Sequence, residues 1–115
     1  MNEIQTDAEI SQDLALAIGW KPKEIMFERA SGIIYVRTLE YKFVLGYKPF
    51  SYKDPAVIWP ICEAYDCFPM AHRDFMSGEI LNWIADYRDA HGYLRTMVAD
   101  TACKAAALTV IASKR

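Results

Sequence analysis

The chain has few of the residues that bind metals or form disulfides. Its two histidines, His72 and His91, have no partner at the HxxxH or HxxE spacing of a metal site. Its three cysteines are an odd number and include no CxxC pair, which predicts free thiols in a reducing, cytosolic compartment. We therefore expect no metal and no cofactor.

An excess of either charge is also missing. The 115 residues include 13 basic and 15 acidic side chains, for a net charge of -2. The basic residues are spread along the chain, which argues against nucleic-acid binding, and the acidic excess is too small for a DNA mimic. No apolar run approaches the roughly 20 residues that cross a bilayer, and the first residues do not resemble a signal peptide. We expect no membrane contact and a location in the cytoplasm.

The composition is that of a folded protein, because 53% of the residues are hydrophobic and 24% are charged. This length and composition predict a single domain over residues 1–115 with one core.

Capping signals predict three helices. Thr6 and Glu9 form a capping box, and Gly19 with Trp20 provides a helix end. Asp54-Pro55 opens a second helix, in which Pro60 predicts a kink or a short first turn. The predicted helices are Asp7–Ile18, Asp54–Tyr65, and a last one from Asp100 or Thr101 to Ser113.

Alternating apolar residues between turn signals predict the strands. These are Glu24–Glu28, Ile33–Arg37, Tyr41–Tyr47, Phe68–Phe75, Ile80–Arg88 and a short Tyr93–Val98. Short hairpin connections imply antiparallel pairing. The predicted fold is α+β, with one antiparallel sheet of about five strands packed against three helices in the order α-βββ-α-ββ(β)-α.

Few residues are candidates for catalysis. His72 and Asp74 lie two positions apart and would share one face of a strand, but no nucleophile is near them in sequence. We expect no catalytic residues and no enzymatic activity. Cys62 and Cys103 are expected to be buried small hydrophobes, with Cys67 more exposed at a helix end.

Aromatic and basic residues interleave between Tyr41 and Lys53. Strand alternation would send these aromatics into the core, while exposed ones would mark a protein-contact surface or stack on nucleic acid. The Tyr87–Arg95 segment is a second candidate contact region. The predicted partner-binding residues are Phe50, Tyr52, Lys53, Arg88, His91, Tyr93 and Arg95.

Three stretches resemble the phage ABA-sandwich domain family of small phage and prophage proteins: Leu14–Trp20, Pro49–Trp59, and Trp83–Thr101 with the helix that follows. The matching features are caps, turns and core positions. Pro60 departs from the family pattern. The resemblance implies a viral or prophage origin and action in the cytoplasm of a bacterial host, and it supplies no catalytic residues.

The leading hypothesis is a phage accessory protein that binds a host or phage protein, with inhibition of a bacterial defence system as one such role. A nucleic-acid-associated phage regulator and a small enzyme with an unrecognised site are the alternatives. An exposed strand edge would also allow homo-oligomers.

Overall fold

Three α-helices, a short 3-10 helix (Pro22–Glu24) and six strands follow one another in a computed structural model that describes residues 5–41 and 44–115. The elements are α1 (Asp7–Ala17), β1 (Ile25–Glu28), β2 (Ile33–Tyr41), β3 (Val44–Pro49), α2 (Pro55–Tyr65), β4 (Met70–Arg73), β5 (Ile80–Arg88), β6 (Leu94–Ala99) and α3 (Ala102–Ser113). This order confirms the predicted sequence of elements. No helix in the described ranges is long and apolar enough to cross a membrane.

The predicted caps stabilise both ends of α1. The Thr6 hydroxyl accepts a hydrogen bond from the Glu9 N–H at 3.2 Å, and the Glu9 carboxylate accepts one from the Thr6 N–H at 3.1 Å. At the other end Gly19 has a φ of +112°, and the Trp20 N–H donates to the carbonyl five residues earlier at 3.0 Å. This is the Schellman arrangement, which uses glycine because a side chain strains the backbone at positive φ.

The chain divides into two compact units, Met1–Ser51 and Tyr52–Arg115. The first unit contains α1 and an antiparallel sheet in the order β1-β2-β3. Helix α1 contacts β1 and β2 and buries Ile10 and Leu14, while Ile34 and Val36 of β2 are buried on the sheet side. The expectation that residues 1–115 form a single domain stays a prediction.

The second unit begins with α2, which opens as predicted. The Asp54 carboxylate accepts a hydrogen bond from the Ala56 N–H at 3.0 Å, and Pro55 occupies the first turn. The helix continues through Pro60 without a separate first turn and ends at Tyr65, followed by the capping residue Asp66, which has a left-handed φ of 53°. The predicted second helix is therefore confirmed in its position.

Strands β4, β5 and β6 form the sheet of the second unit, in that order and antiparallel. Helix α3 contacts β5 and β6. Its alanines 105 to 107 are fully buried, as is Ala85 of β5, and Ala99 of β6 is 9% exposed. Small side chains on both elements let a helix lie close to a sheet, where dispersion contacts are strongest.

The predicted single sheet of about five strands is wrong. The described residues form two sheets of three strands each. The strands within each sheet are separated by only a few residues of sequence, which favours pairing between neighbours in the chain. Between β3 and β4 the chain instead passes through α2, and no local signal specifies a pairing across such a connection.

Several strand boundaries also differ from those predicted. Tyr41 ends β2 and does not begin the third strand, and Lys48-Pro49 belongs to β3. Strand β4 is limited to Met70–Arg73, because Pro69 has no N–H with which to extend the ladder. The predicted alternation at Lys42 and Phe43 lies outside the described residues.

Removing the cap of α1 provides a test of this local structure. We expect Thr6→Ala to lower the free energy of unfolding by about 1 kcal/mol, because the Glu9 N–H loses the hydroxyl that accepts its hydrogen bond. Thr6→Ser keeps the hydroxyl and should stay close to the unchanged protein. Urea unfolding measures both, and equal losses in the two variants would contradict the capping role.

Candidate protein-binding surface

The predicted contact residues around position 50 differ sharply in exposure. Phe50 is 6% exposed and Tyr52 is 1% exposed, so neither aromatic ring offers a contact surface. The Phe50 N–H donates to the Ile34 carbonyl at 2.8 Å and so continues the ladder beyond β3. Lys53 is exposed. The prediction of a contact site at Phe50 and Tyr52 is therefore corrected, since both aromatics serve the core.

The other four predicted contact residues lie together on the hairpin that joins β5 to β6. Arg88, His91, Tyr93 and Arg95 are all exposed. The Arg88 guanidinium donates to the carbonyl of residue 92 at 2.9 Å. This end of the hairpin therefore presents cationic and aromatic side chains on an ordered turn.

Asp89, which the sequence analysis did not single out, organises that turn. One carboxylate oxygen accepts hydrogen bonds from the His91 N–H at 2.9 Å and the Tyr93 N–H at 3.0 Å, and the other accepts from Arg95 Nε at 2.9 Å. The Arg95 hydrogen bond, and then the backbone donors, hold the pKa of Asp89 below its usual value. An aspartate that opens an Asp-Ala-His-Gly turn is a typical signal for such a side-chain bridge.

The two residues considered for catalysis do not form a pair. His72 Nδ1 lies 3.0 Å from the Asn82 side-chain oxygen. Asp74 follows the end of β4, so strand alternation does not place it beside His72, and its carboxylate accepts a hydrogen bond from the Met76 N–H at 2.8 Å. His91 lies on the other hairpin. Within the described ranges, no group of three His, Cys, Asp or Glu side chains could hold a metal ion.

The three cysteines are free, but two of them are placed differently from the prediction. Cys62 is buried as expected, Cys67 is also buried, and Cys103 is only half-buried. Burial raises the pKa of the Cys62 thiol to about 11, with smaller contributions from Cys67 and Cys103. Burial likewise raises the pKa values of Cys67 and Cys103. Protonated thiols are poor nucleophiles, so this cluster has the character of core packing.

An aromatic groove in the second unit was missed by the sequence analysis. It has a volume of about 300 Å³ and is lined by Trp59, Phe68, Pro69, Trp83 and Ala102. Trp59 is 37% exposed and Phe68 is 54% exposed. Trp83 shares a sheet face with Ala71 and Ala99, its directly paired neighbours. The groove therefore opens on the same side of the sheet as α3.

A second concavity in this unit is polar. It measures about 430 Å³ and is lined by Tyr65, Asp66, Cys67, Asp86, Tyr87, Arg88, Leu94 and Ser113. The Lys114 ammonium lies 4.6 Å from the centre of the Tyr65 ring beside it. The carboxylates of Asp66 and Asp86 and the guanidinium of Arg88 line this space together.

Comparison with known proteins returns no family model, no curated protein and no solved structure that matches this chain. The resemblance to the phage ABA-sandwich family stays a prediction from the quoted stretches.

The carboxylate of Asp89 makes the hairpin sensitive to acid. Because its pKa is lower in the folded chain, the stabilisation is complete above the usual value of 3.8 and is lost as the pH falls through the lower folded value. We expect the amide resonances of His91 and Tyr93 to shift with that lower midpoint in an NMR titration. Asp89→Asn should abolish the shift, and a midpoint at or above 3.8 would contradict this arrangement.

Exposure should decide the order in which the thiols react. At pH 8 we expect iodoacetamide to modify Cys103 at least about tenfold faster than Cys62 or Cys67, because only Cys103 is partly accessible. Mass spectrometry of digested samples after short labelling measures the three rates. In denaturing urea the rates should become similar. Labelling of Cys67 as rapid as that of Cys103 in the folded chain would show that the described burial is wrong.

Proposed function

We propose that this chain acts by binding another protein through the groove lined by Trp59, Phe68 and Trp83. The observation that carries the proposal is the concentration of two tryptophans and a phenylalanine around a single apolar concavity, with Trp59 and Phe68 still exposed to water. Tryptophan is enriched among the residues that dominate binding energy at protein interfaces.

The groove suits an apolar anchor on the partner. Its lining carries no charged side chain, so a polar ligand would lose hydration without gaining partners. A volume of about 300 Å³ lies at the lower end of small-ligand pockets and would accommodate one or two apolar side chains. The remaining exposed area of Phe68 would be buried on association, which is favourable at roughly 25 cal/mol per Å².

The biological setting that we propose is a phage or prophage accessory protein in the cytoplasm of a bacterial host. Its partner would be a host or phage protein, and a component of a bacterial defence system is the specific class to test. The support for this setting is the sequence resemblance at Leu14–Trp20, Pro49–Trp59 and Trp83–Thr101.

Binding to nucleic acid has less support than binding to protein. Stacking on bases requires exposed aromatic rings beside cationic side chains, and the rings of Phe50 and Tyr52 are buried. Tyr47 and Lys48 of β3 are exposed. Their strand pairing places Tyr47 opposite Arg37 and Lys48 opposite Val36, on opposite faces of the sheet. The exposed Tyr47 ring therefore has Arg37, and not Lys48, as its cationic neighbour, and one such pair is less than the row of stacked rings that single strands use.

A capture experiment with paired variants tests the groove. We expect the tagged chain to retain a stoichiometric protein from bacterial lysate treated with nuclease, and Phe68→Ala to weaken that retention by about tenfold because an interface anchor is removed. The matched control is Phe75→Ala, which makes the same chemical change at a side chain that is 97% exposed on the β4–β5 hairpin.

The two variants distinguish binding at the groove from nonspecific hydrophobic adsorption. Equal losses in Phe68→Ala and Phe75→Ala, or retention that neither change affects, would contradict the groove as the binding site. The absence of any stoichiometric protein from host and phage-infected lysates would contradict protein binding itself. Retention that disappears with the nuclease treatment would favour the nucleic-acid alternative.

A further inference from the structure

Strand β6 forms an edge of the second sheet and has β5 on one side only. The other three sheet edges are β1, β3 and β4. Strands β1 and β4 have four residues each, and β3 ends in Pro49. Strand β6 has six residues, no proline and a single charge, that of Arg95. Natural edges are usually blunted by short length, proline or charge, so β6 is the least protected edge in the described part of the chain.

The peptide groups that β6 directs outward follow from its register with β5. Tyr87 pairs with Arg95 and Ala85 with Met97, and the Asp89 N–H donates to the Tyr93 carbonyl at 3.0 Å one step further along the same ladder. In an antiparallel ladder, one residue directs both its N–H and its C=O toward the neighbouring strand, and the next residue directs both of them away from it. The odd-numbered residues of β6 therefore bond to β5. The even-numbered residues direct their N–H and C=O groups to the outer side, and these residues are Leu94, Thr96 and Val98.

The same three residues share the face of the sheet opposite α3. Met97 and Ala99, on the α3 side, are part-buried or buried. Leu94 is 59% exposed and Val98 is 55% exposed. The edge thus combines a row of outward peptide groups with two exposed apolar side chains.

We propose that β6 pairs antiparallel with β6 of a second copy of this chain, about a two-fold axis at Thr96. Leu94 then lies opposite Val98 of the second copy, and Thr96 lies opposite Thr96. Each of these pairs exchanges two hydrogen bonds through the outward peptide groups. The result is one continuous sheet across the two copies.

This register is the one that satisfies the edge. A shift by one residue would place outward peptide groups opposite inward ones and would bring the two sheet faces out of alignment. A shift by two residues would leave Leu94 or Val98 without its cross-strand partner. Apolar pairs directly opposite each other stabilise antiparallel strands, so the Leu94–Val98 contacts favour the same register as the hydrogen bonds.

The one charge on β6 does not oppose the pairing. Arg95 Nε donates to the Asp89 carboxylate of its own hairpin at 2.9 Å. In the proposed register Arg95 lies opposite Met97 of the second copy, on the α3 side, and not opposite another arginine. Like-charge repulsion, which usually keeps edges apart, is therefore reduced at this edge.

Sedimentation over a range of concentrations tests the proposal. We expect the unchanged chain to reach twice its monomer mass. Thr96→Pro should raise the dissociation constant at least about tenfold, because proline removes the outward N–H at the two-fold axis and leaves the bonds to β5 in place. Thr96→Ala is the control, since it removes the same hydroxyl, which donates to Asp86, but retains the N–H.

Charge pairs test the register without altering the backbone. The double change Leu94→Lys with Val98→Glu places opposite charges across the proposed interface, and Leu94→Lys with Val98→Lys places like charges there. We expect the second combination to dissociate at least about tenfold more readily than the first. Within one strand these positions are four residues apart, more than 10 Å at about 3.4 Å per residue, so an intramolecular effect would be small.

The outcomes of these experiments test the β6 pairing separately from protein binding at the groove. A monomer at every concentration would overturn self-pairing, and so would a dimer that Thr96→Pro leaves intact or that responds equally to both charge combinations. Phe68→Ala should leave the dimer unchanged. A dimer lost in Phe68→Ala and retained in Thr96→Pro would instead place the contact between copies at the groove.

Discussion

The close packing of α3 on β5 and β6 is the contact on which the second unit depends. Alanines 105 to 107 of α3, which contacts α2 as well as these two strands, are buried, and Ala85 and Ala99 of the sheet are buried as well. Larger side chains at these positions would force the helix away and cost about 1–3 kcal/mol each through strain. Because the contact between α3 and the sheet leaves little space for larger side chains, it determines which face of the sheet is covered. It also determines which side chains remain exposed at the margins of the contact.

The width of a helix explains where the exposed surfaces lie. A helix with its side chains is about 10–12 Å wide, while strands are about 4.8 Å apart, so one helix covers roughly two strands. Helix α3 contacts β5 and β6, and the aromatic groove lies toward β4, beside Phe68 and Pro69. The opposite face carries the row Met70, Ile84 and Val98, paired directly across the three strands. The proposed contact surfaces are thus consequences of incomplete coverage.

Polar side chains in this chain mainly stabilise turns and helix ends. Thr6, Asp54 and Thr101 cap the three helices, and Asp74 and Asp89 accept hydrogen bonds within the two hairpins of the second sheet. Of these carboxylates, Asp89 is held in its charged form, because the Arg95 hydrogen bond and then the backbone donors lower its pKa. This use of polar groups agrees with a proposal based on apolar contact and not on acid–base chemistry.

The amino-acid sequence alone determined the helices, their caps and the order of elements, because capping boxes, Schellman ends and hairpin turns involve residues only a few positions apart. It also contained the Asp89 turn signal, because Asp-Ala-His-Gly between two strands predicts a turn at this place. The tertiary structure decided that the strands form two sheets, that Phe50 and Tyr52 are buried, and that Cys67 is less accessible than Cys103. Trp59, Phe68 and Trp83 are likewise brought together only by folding. These features depend on contacts between residues far apart in the chain, and alternation within one strand does not specify which element will cover its apolar face.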